Sequence, residues 1–399
     1  MELKQLDNFC LKVLFLVVAG IVVAQVLNLD SLTSMLFMLT FPLTVLLWVR
    51  TIRQTFSETD MLVVITCVLV VICVLLNGAR ANARFGFSYL KKLIMFIMAL
   101  LFFQTAFRVR AGEELCAFIH KVVDCLVIFL ITMYFLRTSR MYTLNGRRTV
   151  YLTFCFSNPN LTALFLSCLY MLKMHRLFEH GRWYVKLVHV LQMLFVGWFV
   201  LETQSRNCFL VLALYTMLSI WLVFKSRRNL RITKSWAILF AVFPAFLVAA
   251  YMLLVYNAWI QELLSFLVGE GKGLDSRAMI WGNALQQLWK SPVLGAYFEI
   301  SEGTGVFQMH NSHLDIAVSY GIPVLVLVCA LLVRYLCQQG RIYENRKGYI
   351  YILGFACAIL LGMGEAAVFS GGLGLYIFAG LFLLLANQEH PKAKDVGSL

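Results

Sequence analysis

The sequence predicts an all-α polytopic membrane protein of about 12 transmembrane helices, with a large extracytoplasmic loop that contains an amphipathic helix. Three observations lead there. Hydrophobic residues make up 61% of the chain and charged residues 14%, and the mean hydropathy is +0.81. An ordinary soluble domain carries roughly 25% charged residues. Several uncharged apolar runs approach the roughly 20 residues that a helix needs to cross a hydrocarbon core of about 30 Å. The Lys and Arg residues behind the formal net charge of +14 sit in short loops between those runs. There they read mainly as topology signals, with anionic lipid or an anionic substrate as the secondary reading and no nucleic acid partner.

Apolar run length places the spans at 9–28, 31–49, 61–77, 93–107, 117–136, 159–173, 185–202, 207–225, 235–256, 314–337, 348–364 and 371–387. The first is long and lacks a small-residue cleavage site before Asp30, so a cleavable secretory signal is not expected. Asn158, Pro159 and Asn160 punctuate the start of the sixth span, which is short enough to be broken. The expected organisation is a transmembrane bundle over 1–256, an extracytoplasmic catalytic loop over 257–313, further transmembrane helices over 314–388 and a cytoplasmic tail over 389–399.

Orientation follows from Lys225, Arg227, Arg228, Arg231 and Lys234, and from Arg334, Arg341, Arg346 and Lys347, which the positive-inside rule assigns to the cytoplasm. Two outward loops then break the rule. One carries Arg80, Arg84, Lys91 and Lys92, the other Arg137, Arg140, Arg147 and Arg148. Either the span count slips by one there, or those cations serve an anionic ligand. The 11 cysteines lie mostly inside apolar segments without CxxC spacing and read as lipid-facing or core thiols.

Within the outward loop, Asp275 to Lys290 has helical periodicity. Ile280, Trp281, Ala284, Leu285 and Leu288 form one stripe, and Asn283, Gln286, Gln287 and Lys290 the other face, a pattern suited to the membrane interface. Asp275 or Ser276 is the expected N-cap, and Ser291-Pro292 the stop. Arg277 then occupies the first turn, where unpaired N–H groups and the helix dipole favour a phosphate. A snorkelling Arg277 on an interfacial helix is the plainer alternative.

Further on, His310 and His313 precede the next span, where an imidazole can exchange a proton near neutral pH. With Asp315 they have a spacing that could hold a metal, but no further cluster completes a site, so none is expected. Arg206 lies at a span boundary, with either Glu202 or a ligand as its partner. Glu365 falls at the outer end of the eleventh span, where its burial would need an acceptor hydroxyl or a cation such as Arg206 or Arg277.

The order of these features resembles the O-antigen ligase and polymerase superfamily. The matching residues are Asn158-Pro159-Asn160, Ser205-Arg206, Arg277-x-x-x-Trp281, Pro292-x-x-Gly295, His310-Asn311 and Gly321. The resemblance implies a GT-C-like glycosyltransferase of the bacterial plasma membrane with its active site facing outward. It would use an undecaprenyl-pyrophosphate-linked oligosaccharide without cofactor or metal, with membrane lipid and a chain-length regulator or flippase as possible partners. Carried over by position, Arg206 and Arg277 contact the pyrophosphate, His310 removes the acceptor proton, and Asn311, Trp281 and Glu365 support them. Guanidinium groups suit the charge that develops on a departing diphosphate, and a base contributes about 10² to 10⁴ in rate. The sequence has no Asp-x-Asp pair to hold a divalent cation.

The modest outward loop favours a polymerase, with a ligase that transfers to a lipid A core sugar as the alternative. A transporter or flippase also suits about 12 spans, but those folds place their site near the bilayer midplane between related halves, whereas these candidates gather at one face.

Overall fold

The computed structural model of the chain describes residues 3–80, 87–136, 141–144, 147–150, 158–178, 182–224, 232–255, 274–297, 309–339, 346–364 and 375–387. Its helices are α1 (Leu3–Val26), α2 (Asp30–Gln54), α3 (Glu58–Arg80), α4 (Phe87–Arg108), α5 (Glu113–Leu136), α6 (Pro159–Met174), α7 (Trp183–Glu202), α8 (Arg206–Phe224) and α9 (Lys234–Val255). They continue as α10 (Leu274–Lys290), α11 (Ser312–Tyr320), α12 (Ile322–Gln339), α13 (Arg346–Leu361) and α14 (Leu375–Ala386). A short antiparallel hairpin, β1 (Met141–Leu144) with β2 (Arg147–Val150), stands where only a loop was expected.

Among the described residues eight helical stretches, α1 to α7 and α9, with α6 extended by a 3-10 turn to Phe178, are long and apolar enough to cross a membrane, and stretches of α8, α12, α13 and α14 are shorter apolar helices. The chain is therefore a multi-pass membrane protein. Its core is built around α6, α13 and α14, every described residue of α14 being buried. Exposed Leu, Ile, Phe and Trp side chains cover α2, α7 and α9, as lipid-facing surfaces require.

Lipid is as apolar as leucine, so association between the helices leans on packing and polar pins. At one end of the bundle Asp60, fully buried, accepts from Gln104 Nε2 at 2.6 Å, from the Ser57 N–H and hydroxyl, and from Arg108. Nearby, Arg50 pairs with Asp7 at 2.6 Å, Arg334 with Glu58, and Asn387 donates to the Phe107 and Val109 carbonyls. These contacts gather the starts of α1 and α3 with the ends of α2, α4, α12 and α14. The opposite end holds the turn between α7 and α8, the start of α11 and the end of α13.

Three expectations need correction. The span expected over 314–337 is two helices, α11 and α12, that meet at Gly321. Gly321 has φ +89°, and a Cβ there would stand 2.0 Å from the Val293 carbonyl oxygen, so the helix breaks where the chain from 292 to 295 crosses it. The sixth span is not broken: Asn158 caps α6, its side chain accepting from the Asn160 N–H at 2.8 Å with Pro159 in the first turn. The stripe on α10 faces protein rather than the membrane interface, since Ile280, Trp281 and Ala284 pack with Val248 of α9 and Leu314 and Val318 of α11.

Candidate functional site

Arg206 opens α8, reached through a tight turn. The Gln204 N–H donates to the Leu201 carbonyl at 2.9 Å, the Thr203 hydroxyl bonds the Val200 carbonyl at 2.6 Å, and Gln204 adopts φ +56°. The Arg206 side chain is exposed, and among the described residues it forms no ion pair with Glu202. A cation at a helix N-terminus opposes the macrodipole by about 0.3–1 kcal/mol. That placement costs stability unless an anion is bound.

The neighbouring residue ties this turn to a distant part of the chain. Asn207 Nδ2 donates to the Leu361 carbonyl at 3.1 Å, at the end of α13. The next two glycines keep that end thin. A Cβ on Gly364 would lie 2.8 Å from Asn207 Nδ2, and one on Gly362 2.8 Å from Ser312 Oγ.

The same turn receives the start of α11. The Ser312 N–H donates to the Gly362 carbonyl at 2.8 Å, and Asn311 Nδ2 to the Met363 carbonyl at 3.3 Å. Asn311 also reaches the Pro244 carbonyl at 3.0 Å, while its Oδ1 caps α11 by accepting from the His313 and Leu314 N–H groups. With its amide and carbonyl both committed, Asn311 binds three segments and is fully buried. Asn207, next to Arg206, and Asn311-Ser312, next to His310, thus meet on residues 361–364, though about a hundred residues apart in the chain.

His310, partly buried, has φ +50°. A left-handed conformation is uncommon away from glycine and persists only where surrounding contacts enforce it. The residues on either side are both fixed: Asn311 as described, and Met309, which is buried and whose carbonyl accepts from Trp281 Nε1 at 2.8 Å. Trp281 packs edge-on against Tyr251 of α9 with ring centroids 5.0 Å apart. Arg277 lies one helical turn before Trp281 on α10, and residues four apart share a helix face. Its side chain and the whole of Glu365 lie outside the described residues. The helix starts at Leu274, so Asp275 falls in the first turn rather than at the cap, and it ends before Ser291-Pro292 as expected.

His310, His313 and Asp315 do not converge. His313 Nε2 faces the Ala241 carbonyl at 2.7 Å, beside the Pro244 irregularity of α9. Asp315 instead pairs with Lys92 of α4 at 3.0 Å. Among the described residues no group of three His, Cys, Asp or Glu side chains could hold a metal ion.

That pair accounts for one cation, Lys92, of a loop that breaks the charge rule. Tyr297 donates from its hydroxyl to the Tyr89 carbonyl at 2.5 Å, and Asn77 Nδ2 to the Leu294 carbonyl at 2.7 Å. The end of α3 and the start of α4 therefore lie against residues 292–297, at the same end of the bundle as the site. Arg84, Arg137 and Arg140 lie outside the described residues. Asn207, the Gly362-x-Gly364 turn and Lys92 were missed as site-forming residues. The double glycine beside a span end was the available signal for the turn; Lys92 stood out only as one of four cations in a loop that breaks the charge rule.

Residues 191–329, about a third of the chain, match the O-antigen ligase family model. The matched stretch contains Arg206, Arg277 and His310. It supports assignment to that superfamily and an enzymatic, ligase- or polymerase-type role in glycan transfer. Curated proteins offer no match to the chain.

Proposed function

Proceeding from that family match, we propose that the protein transfers a glycan from an undecaprenyl-pyrophosphate-linked donor to an acceptor hydroxyl, at the end of the bundle where α8 and α11 begin. The observation that carries this reading is the left-handed His310, held between Asn311 and the Trp281-bonded Met309, on the same 361–364 turn that receives Asn207. Strain maintained by this many contacts serves a side chain whose direction matters.

In this reading Arg206, at the N-terminus of α8, and Arg277, in the first turn of α10, bind the diphosphate. Helix N-termini add partial positive charge there. His310 accepts the proton of the acceptor hydroxyl. The hydroxyl oxygen bonds to the anomeric carbon from the face opposite the diphosphate, and the bond to the diphosphate oxygen breaks. Its electron pair stays on the leaving group, where the guanidinium groups neutralise it. The anomeric configuration inverts. A diphosphate is a good enough leaving group without protonation, so one base and two cations suffice and no metal is needed.

The description of the matching family favours a ligase, which passes the glycan to a different acceptor such as a lipid A core sugar. The modest size of the 257–313 segment favours a polymerase as the second reading. Reconstituted protein supplied with lipid-linked repeat units decides between them. Transfer only on addition of a core acceptor identifies a ligase, a ladder of extended products identifies a polymerase, and no transfer to either acceptor removes both. The positive-inside pattern favours an outward-facing site, on the side of the membrane where a flippase delivers the donor.

A further inference from the structure

Lys92 sits on α4, far in sequence from every residue assigned a chemical part, yet its ammonium lies 3.0 Å from Asp315 Oδ1 and 2.9 Å from Ser319 Oγ. Both partners are on α11, one turn apart, and both are almost completely buried. The Tyr297 ring stands 5.8 Å from the same ammonium. A buried ion pair gains little net stability, because desolvating both charges offsets their attraction. What it supplies is direction: a lysine spanning positions 315 and 319 fixes the rotation of α11 about its axis.

The start of α11 is tied by the Asn311 cap and by His313 on the Ala241 carbonyl, and the Val318 carbonyl accepts from the Ala296 N–H at 2.6 Å. The helix is nine residues long and ends in the glycine break at 321, and its side chains at Leu314, Ile316, Ala317 and Val318 are apolar, so Lys92 adds the charged grip on the face that carries 315 and 319. The first turn of α11 carries the Asn311 cap, and His310 immediately precedes that cap. Turning α11 shifts Asn311 and moves the imidazole. Asn77 and Tyr297 brace the neighbouring 292–297 segment from the same two helices, through its Leu294 carbonyl and through Tyr89. The third and fourth helices thus set the bearing of an element whose chemistry lies more than two hundred residues later.

We propose that Lys92 is a positioning residue for glycan transfer, acting through Asp315 and Ser319 on α11 to aim His310. This rests on the reading of His310 as the base.

The test uses the full-length purified protein, assayed with undecaprenyl-diphosphate-linked oligosaccharide and acceptor, and compares wild type with the double variant Lys92→Met, Asp315→Asn. Neutralising both partners leaves no unpaired buried charge, so the melting temperature stays near wild type. The expected result is a kcat about 10- to 100-fold lower with KM for the donor within about twofold, the signature of misaimed chemistry rather than lost binding. A wild-type kcat, or a loss confined to KM, overturns the proposal. Should the double variant fail to fold, Asp315→Glu keeps the charge pair while lengthening it by one methylene. A lowered kcat with unchanged KM there supports the proposal, and an unchanged kcat overturns it. His310→Ala measured in parallel separates the two ideas. An active His310→Ala enzyme removes both, whereas an inactive one beside a fully active double variant removes Lys92 alone.

Discussion

The indole Nε1–H of Trp281 donates to the Met309 carbonyl at 2.8 Å, so the helix that carries Arg277 also holds the residue preceding His310. Two segments of the loop that share no local sequence contact are locked together by this one buried hydrogen bond.

Trp281→Phe keeps the ring contact with Tyr251 but leaves the Met309 carbonyl unpaired. A buried carbonyl without a donor costs about 1–3 kcal/mol, and here part of that cost appears as drift of His310. Transfer activity is expected to fall about tenfold while the protein still inserts. Steady-state rates on protein matched for folded fraction check this, and an unchanged rate would show that the bond has no bearing on the site.

His310→Ala is expected to abolish glycan transfer, a loss of about 10² to 10⁴ for a missing base, while donor lipid still binds. Arg277→Lys is also expected to be strongly impaired, since an ammonium cannot reproduce the planar two-pronged contact of a guanidinium with phosphate oxygens. Donor binding and turnover measured separately distinguish the two variants. Full turnover in Arg277→Lys would reduce that residue to simple charge attraction.

Gly321→Ala places a methyl group on the Val293 carbonyl in a backbone conformation with φ +89°. The conformation alone costs about 1–3 kcal/mol, and the overlap adds to it. Folded yield and melting temperature in detergent should drop sharply. Wild-type stability would mean that the crossing at 293 and 321 is looser than its geometry indicates.

Asp60→Ala strands Arg108 and Gln104 at the opposite end of the bundle. Breaking a buried pair by removing one partner costs about 3–5 kcal/mol, so the melting temperature falls. The turnover of the fraction that remains folded should match wild type, because among the described residues nothing in that network reaches the 361–364 turn. A kcat loss per folded molecule would reveal coupling between the two ends.

Much of the architecture was legible because membrane solvent imposes a one-dimensional rule. A run of apolar residues of sufficient length must be a helix, since its backbone groups have no other partners. The apolar stripe on α10, from Ile280 to Leu288, followed from helical period alone, as did the stop at Ser291-Pro292. The partner of that stripe did not, because period reports which residues share a face and not whether lipid or α9 and α11 cover it. The break at Gly321 was hidden for a similar reason: the apolar run continues through it, and only the crossing of Val293 forces the chain to turn.

By itself the sequence determined a multi-pass helical membrane protein and the residue types available at the loop, since both follow from composition and local spacing. Only the tertiary structure decided that Asn207, Asn311 and Ser312 meet on the 361–364 turn, that Asp315 belongs to Lys92, and that His313 faces away from His310. Those outcomes depend on long-range close packing and on where buried donors find acceptors. Neither is encoded in any window of neighbouring residues.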